Sequence, residues 1–168
     1  MRVELVEYDP AWPRVFDAEA QRIREALGDV LLRVDHVGST AVPGLAAKPV
    51  IDIQVSVRSF VPFEAYADPL LALGYVHGTD PAEPEHRFFG LGDGSARRFH
   101  IHVCESATAW ERRHLGFRDG LRNDPDLRTR YEAEKRRIAA VYPDDSLAYA
   151  EAKTPWIRAE ERRLGLIR

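Results

Sequence analysis

The run Ile51-Asp52-Ile53-Gln54-Val55-Ser56-Val57 constrains this chain more than any other segment. Apolar and polar residues alternate at period two, which predicts a strand over residues 50–57 with Ile51, Ile53 and Val55 on one face and Asp52, Gln54 and Ser56 on the other. The first face belongs to a core. The second carries a carboxylate, which is costly to remove from water unless a cationic group meets it. A second alternation repeats the theme. In Phe99-His100-Ile101-His102-Val103 the apolar residues point one way and both imidazoles the other.

The remaining periodicities set the architecture. Residues 30–37 read as a strand, and residues 85–91 and 97–104 as two strands joined tightly through Gly92-Asp93-Gly94. Trp12, Phe16, Ile23 and Leu27 follow Asp9-Pro10 at helical spacing and stop at Gly28. A short helix over 62–73 ends at Gly74. Trp110, His114, Phe117 and Leu121 mark one later helical stripe, and Leu127, Tyr131, Glu134 or Lys135, Ile138 and Val141 a second. A last helix from Ser146 is expected to be interrupted, or to begin again, near Pro155. Helices thus lie at both ends of a central group of strands, two of them paired as a hairpin. That argues against an all-parallel doubly wound sheet and for an α+β fold: a mixed or antiparallel sheet flanked by helices, with a C-terminal helical segment. At 168 residues the expected organisation is one domain, 1–168, large enough to bury a core without staples.

Composition removes several classes of function. Cys104 is the one cysteine, so no internal disulfide forms, as suits a reducing cytoplasm. The first twelve residues hold no apolar signal region, and no stretch approaches the roughly 20 apolar residues of a membrane span. The net charge is −3, and the C-terminal third is the more basic part. Its basic residues alternate with acids, as in Glu132, Glu134, Lys135, Arg136 and Arg137, which describes a solvated helix face. Nucleic acid is therefore not an expected partner. Trp12, Trp110 and Trp156 read as core aromatics.

The chemistry concentrates in His36-Val37-Gly38-Ser39-Thr40 and the strand bearing Asp52. Glycine and serine after a strand let backbone N–H groups approach an anion closely, as phosphate-binding loops do. Taken singly, a Gly-Ser-Thr turn and a strand-end aspartate are more often structural, and it is their spacing that points to a site. His100 and His102, one strand period apart, either converge on one metal, or divide between a metal and an anion, or form a half-buried pair with no ligand. His36 and the Glu85-His86-Arg87 cluster are further candidates for the same cleft.

These segments resemble the GrpB-like family of the nucleotidyltransferase superfamily. The resemblance runs from Val6-Glu7-Tyr8-Asp9-Pro10-Ala11-Trp12-Pro13 through His36-Val37-Gly38-Ser39-Thr40-Ala41-Val42-Pro43-Gly44-Leu45, Lys48-Pro49, Ile51-Asp52-Ile53 and His100-Ile101-His102. It continues to His114-Leu115-Gly116-Phe117-Arg118-Asp119-Gly120-Leu121-Arg122, Tyr131 and Lys135. The chain is also similar to the extra domain of some bacterial dephospho-CoA kinases. The superfamily pattern implies a Gly-Ser loop, a strand with acids at i and i+2, and a third acid on a neighbouring strand, together holding divalent cations. Gly38 and Ser39 match the loop and Asp52 the first acid. Gln54 stands at the second acid's place, and His100 or His102 at the third.

The resemblance therefore implies Asp52, His100 and His102 as catalytic residues, and Gly38, Ser39, Thr40, Lys48 and Arg87 as contacts to a nucleotide or a phosphorylated small molecule. It also implies a divalent metal (Mg, Mn or Zn) on Asp52, His100 and His102, with His36 and Gln54 as further ligand candidates. Imidazoles in place of acids suit one transition metal better than a magnesium pair. The implied activity is metal-dependent transfer of a nucleoside monophosphate from a nucleoside triphosphate to a small acceptor. Two other readings stand beside it: a non-catalytic module binding a nucleotide, a coenzyme A-like molecule or a phosphate ligand, and a metal-dependent phosphoesterase. The family-like helical pattern also leaves room for Arg118 or Lys135 to reach the cleft.

Overall fold

In a computed structural model of the chain, residues 2–78, 84–92 and 98–168 are described. Five strands form one mixed sheet: β1 (Leu31–Val37), β2 (Ile51–Val57), β3 (Val76–Gly78), β4 (His86–Leu91) and β5 (Phe99–Glu105). Their order across the sheet is β1-β2-β5-β4-β3. The β2–β5 pair is parallel and every other pair antiparallel. The expected hairpin is present as β4–β5, although residues 93–97, which hold most of its proposed turn, lie outside the described residues. The three-residue strand β3 carries no alternation of its own and was not legible in the sequence.

Helices α1 (Trp12–Leu27) and α2 (Glu64–Ala72) cover one face of the sheet. Their residues Trp12, Ile23, Leu27, Tyr66 and Leu70 pack with Ile51, Ile53, Val55, Ile101 and Val103 in the main core. Burial of each such aliphatic side chain contributes roughly 1.5–3 kcal/mol. Helix α1 starts where Asp9 accepts the Ala11 N–H through Oδ1, and it ends at Gly28, whose φ of 51° is cheap only for glycine.

The other face looks toward α3 (Ala109–Asn123), α4 (Pro125–Val141) and α5 (Ser146–Arg163). Each has a side-chain cap, from Thr108, Asp124 and Asp145 respectively, worth about 1 kcal/mol apiece. Asp124 closes α3 and opens α4, so the two helices turn back on each other directly. A second core, built on Leu121, Leu127 and Tyr131 with Val42 and Leu45, joins these helices to the loop after β1. Helix α5 runs unbroken through Pro155, contrary to the expected interruption. Trp156 stacks on Tyr131 of α4, ring centroids 5.1 Å apart, and this packing carries the helix across the hydrogen bond that proline cannot donate. Among the described residues no helix is long and apolar enough to cross a membrane.

Candidate functional site

The site is the space between the polar face of β2–β5 and α3–α5. Asp52 pairs in register with Val37 on one side and His100 on the other. Its Oδ1 lies 3.2 Å from His100 Nδ1 and 3.5 Å from His102 Nε2. Burial alone would push this carboxyl up, but the hydrogen bonds from the two imidazoles and their charge outweigh it and hold Asp52 below the usual carboxylate range. Aromatic neighbours fix the imidazoles. Phe88 meets His100 edge-on at 5.0 Å, and His102 sits 5.3 Å from the His86 ring and 6.1 Å from Trp110.

Gly38 follows β1 with φ 70°, and a Cβ there would collide with the Asp52 carboxylate. Glycine is thus required twice over, by its backbone conformation and by the close approach. A 3-10 turn, Ser39–Ala41, comes next. Helices α3 and α4 pin the loop it begins. Arg118 donates to His36 O, Arg122 to Ala41 O, and Glu132 accepts from Ala46 N. Lys135 donates to Ser39 Oγ at 3.2 Å and to Ala46 O.

Asp52, Ser39 and Lys153 line two adjoining cavities. One, of about 280 Å³, also holds Lys48, Lys135, His100, His102 and Tyr149. The other, of about 220 Å³, has an apolar wall of Phe117, Leu121 and Ile157 and a charged rim that includes Arg118. The first cavity is strongly cationic. Lys48 and Lys153 sit over the Tyr149 ring at 5.5 and 4.6 Å, and Lys135 is 1% exposed. Burial, then the charge of Lys153, pushes Lys135 down to about 7. Burial and the charge of Lys48 push Lys153 down to about 8. Lys48 is lowered by burial, with Asp52 pulling the other way. Among the described residues none of these lysines has an ion-pair partner within 4 Å, and Asp52 is the sole carboxylate lining their cavity.

The structure thus brings together Asp52, His100, His102, Gly38, Ser39 and Lys48. Thr40 reaches the same cavity wall, but its hydroxyl donates to Val50 O and meets His36 Nε2 at 3.0 Å. Three expected residues lie elsewhere. His36 alternates to the opposite face of β1 and stacks on Phe16, ring centroids 4.7 Å apart; burial lowers it to about 4, a neutral core imidazole. Arg87 pairs with Val103, a core-facing residue, and its guanidinium lies 4.2 Å from the Phe60 ring. Gln54 shares the face of Asp52 but is fully buried and lines neither cavity, with both amide atoms lacking a hydrogen-bond partner among the described residues. Lys153 was missed in the sequence, where one lysine on a mixed helix gives no signal.

A magnesium pair needs several hard oxygens, whereas this cavity offers one carboxylate, already matched by two imidazoles, amid three lysines. Among the described residues no three His, Cys, Asp or Glu side chains are arranged to hold a metal ion. The residues present do not fit a magnesium pair.

Comparison with known proteins places this geometry in a family. The chain is 41% identical over 169 residues to a UPF0157 protein of Streptomyces coelicolor, covering 100% of this chain and 87% of that one. It is 38% identical over 185 residues to a dephospho-CoA kinase of Mycolicibacterium paratuberculosis, covering 96% of this chain but 46% of the kinase. It likewise spans only 46% of a Bacillus subtilis UPF0157 protein to which it is 34% identical. The crystal structure of the conserved protein GrpB from Enterococcus faecalis superposes with a TM-score of 0.86 at 33% identity, over 96% of each chain. Cid1 poly(U) polymerase superposes with a TM-score of 0.56 at 13% identity, over 87% of this chain and 50% of that one, which shows a shared nucleotidyltransferase-like fold. The GrpB protein family model matches residues 2–163. That span takes in β1, β2, β5 and both cavities, and the chain belongs to the GrpB family.

Proposed function

We propose that this chain is a nucleotidyltransferase-type enzyme that binds the phosphates of a nucleotide in the lysine cavity and transfers its nucleoside monophosphate to a small acceptor. The observation that carries the reading is the position of Asp52, with its imidazoles, at the junction of a cationic cavity and a partly apolar one. Lys48, Lys135 and Lys153 bind the phosphate tail, and Ser39 lies between both spaces. The second cavity receives the other reactant. Such a division brings two substrates to one point and removes much of the entropic cost of their encounter.

His100 is the group suited to take the proton. Its Nδ1–H faces Asp52, which leaves Nε2 to accept from an acceptor hydroxyl; Asp52 fixes the tautomer and stabilises the imidazolium. His102 uses Nε2 on the same carboxylate and its Nδ1 is buried, so it orients Asp52. The acceptor oxygen then forms a bond to the α-phosphorus as the bond to the bridging oxygen breaks. Pyrophosphate departs with the electron pair, its charge met by the lysines.

Gln54 in place of a second acid favours one further reading, a module that binds the same ligand without turnover. Incubation of purified protein with α-labelled nucleoside triphosphates and a panel of phosphorylated and hydroxylated acceptors, with pyrophosphate as readout, separates the two. Transfer that disappears in Asp52→Asn supports the enzyme. Nucleotide binding with no pyrophosphate from any acceptor supports the module, and no binding of any nucleotide overturns both.

A further inference from the structure

The fold's relatives among nucleotidyltransferases lead to the expectation of a cation between protein and phosphates, yet the charge distribution in this cavity is the reverse of what a cation needs. We infer that the cavity binds polyphosphate directly, as the free anion, with Lys48, Lys135 and Lys153 in the place of divalent ions. The inference rests on the proposed nucleotide site and specifies its ligand: a tri- or diphosphate without bound metal.

Three features converge on it. The first is charge. Three lysine side chains line about 280 Å³ beside a single carboxylate, and that carboxylate is occupied by imidazoles at 3.2 and 3.5 Å. A divalent ion entering here meets like charges on most sides, whereas a polyanion meets opposite ones. The second is preorganisation. Lys135 is anchored through Ser39 Oγ and Ala46 O, and Lys48 and Lys153 both lie over the Tyr149 ring, so little side-chain freedom remains to be lost when the ligand binds. The third is the missing oxygen donors. Position 54, where the fold expects a second acid, holds a neutral amide that lies outside the cavity. The lowered lysine pKa values fit the same picture: burial first, and then a neighbouring lysine's charge, disfavours ammonium groups that an anion would stabilise.

The test is titration calorimetry of the full chain with ATP and with inorganic tripolyphosphate, each in EDTA and in excess magnesium. Binding in EDTA is expected for both ligands, and magnesium should weaken it several-fold because it neutralises the phosphates before they reach the lysines. Lys153→Gln, a half-buried position whose loss leaves the Ser39 loop anchored, should weaken metal-free binding about tenfold, in line with a charged hydrogen bond. Binding that appears only with magnesium overturns the inference and leaves the nucleotide site standing. Unchanged affinity in both Lys153→Gln and Lys48→Gln also overturns it. No binding of ATP under either condition overturns the site and the inference together.

Discussion

The two faces of β2 follow different rules. On one, Ile51, Ile53, Val55 and Val57 are 3% exposed or less and meet α1 and α2 through interchangeable apolar surface. On the other, the polar residues differ from one another. Ser56 donates to Glu111 at 2.5 Å, Asp52 takes two imidazoles, and Gln54 has no hydrogen-bond partner among the described residues. Stability on the first face scales with area, so one aliphatic residue can replace another. On the second face Asp52 and Ser56 are specified by their partners, and the Gln54 amide, unpaired among the described residues, is a cost with no return in the fold.

That contrast breaks if the two faces respond alike to mutation. Asp52→Asn keeps the side-chain shape and an acceptor oxygen but loses the charge that holds His100, so transfer should fall by about a hundredfold or more. Its melting temperature should move by only a few degrees; a collapse of stability comparable to a core truncation would show that Asp52 belongs to the framework. Ile53→Ala should do the opposite, costing about 2–5 kcal/mol in denaturant unfolding, while the protein that remains folded binds nucleotide with wild-type affinity. Gln54→Leu sharpens the comparison further. Removing two unpaired buried polar atoms should raise stability by about 1–2 kcal/mol without changing nucleotide affinity. Lost affinity would mean that the amide serves the ligand after all.

The same contrast explains what could be read from sequence. Period-two alternation in residues 51–57 and 99–103 placed Asp52, His100 and His102 on one face because their strands pair in register. It could not assign Arg87, since the face a hairpin residue takes depends on strand register, and one step separates Arg87 from His86, which does face His102. His36 fails for the same reason, one residue out of phase with Asp35 and Val37. The Gly38–Ser39 loop was legible because its glycine answers a local need. Lys153 was not, because it enters the cavity from a helix about a hundred residues beyond Asp52, and helix packing leaves no local trace.

The lysines offer the finest discrimination between the faces, since apolar packing has no proton to lose. Lys135 is held at about 7 and faces Lys153, Glu132 and Arg136, with the Tyr131 ring at 4.9 Å; Lys153 is held at about 8. Both values lie below the unfolded lysine, so between pH 7 and 9 the unfolded chain carries more protons and the ligand-free protein gains stability as pH rises. A bound polyanion reverses the preference by favouring the ammonium forms. At pH 8, binding of tripolyphosphate should therefore take up on the order of one proton, seen as a dependence of the calorimetric heat on the buffer's ionisation enthalpy. At pH 6, where the lysines are already charged, that uptake should vanish, leaving only proton release from the phosphates themselves. Affinity should fall by several-fold from pH 7 to 9, and Lys153→Gln should flatten the slope. Proton uptake that is equal at both pH values would show that these lysines do not face the anion.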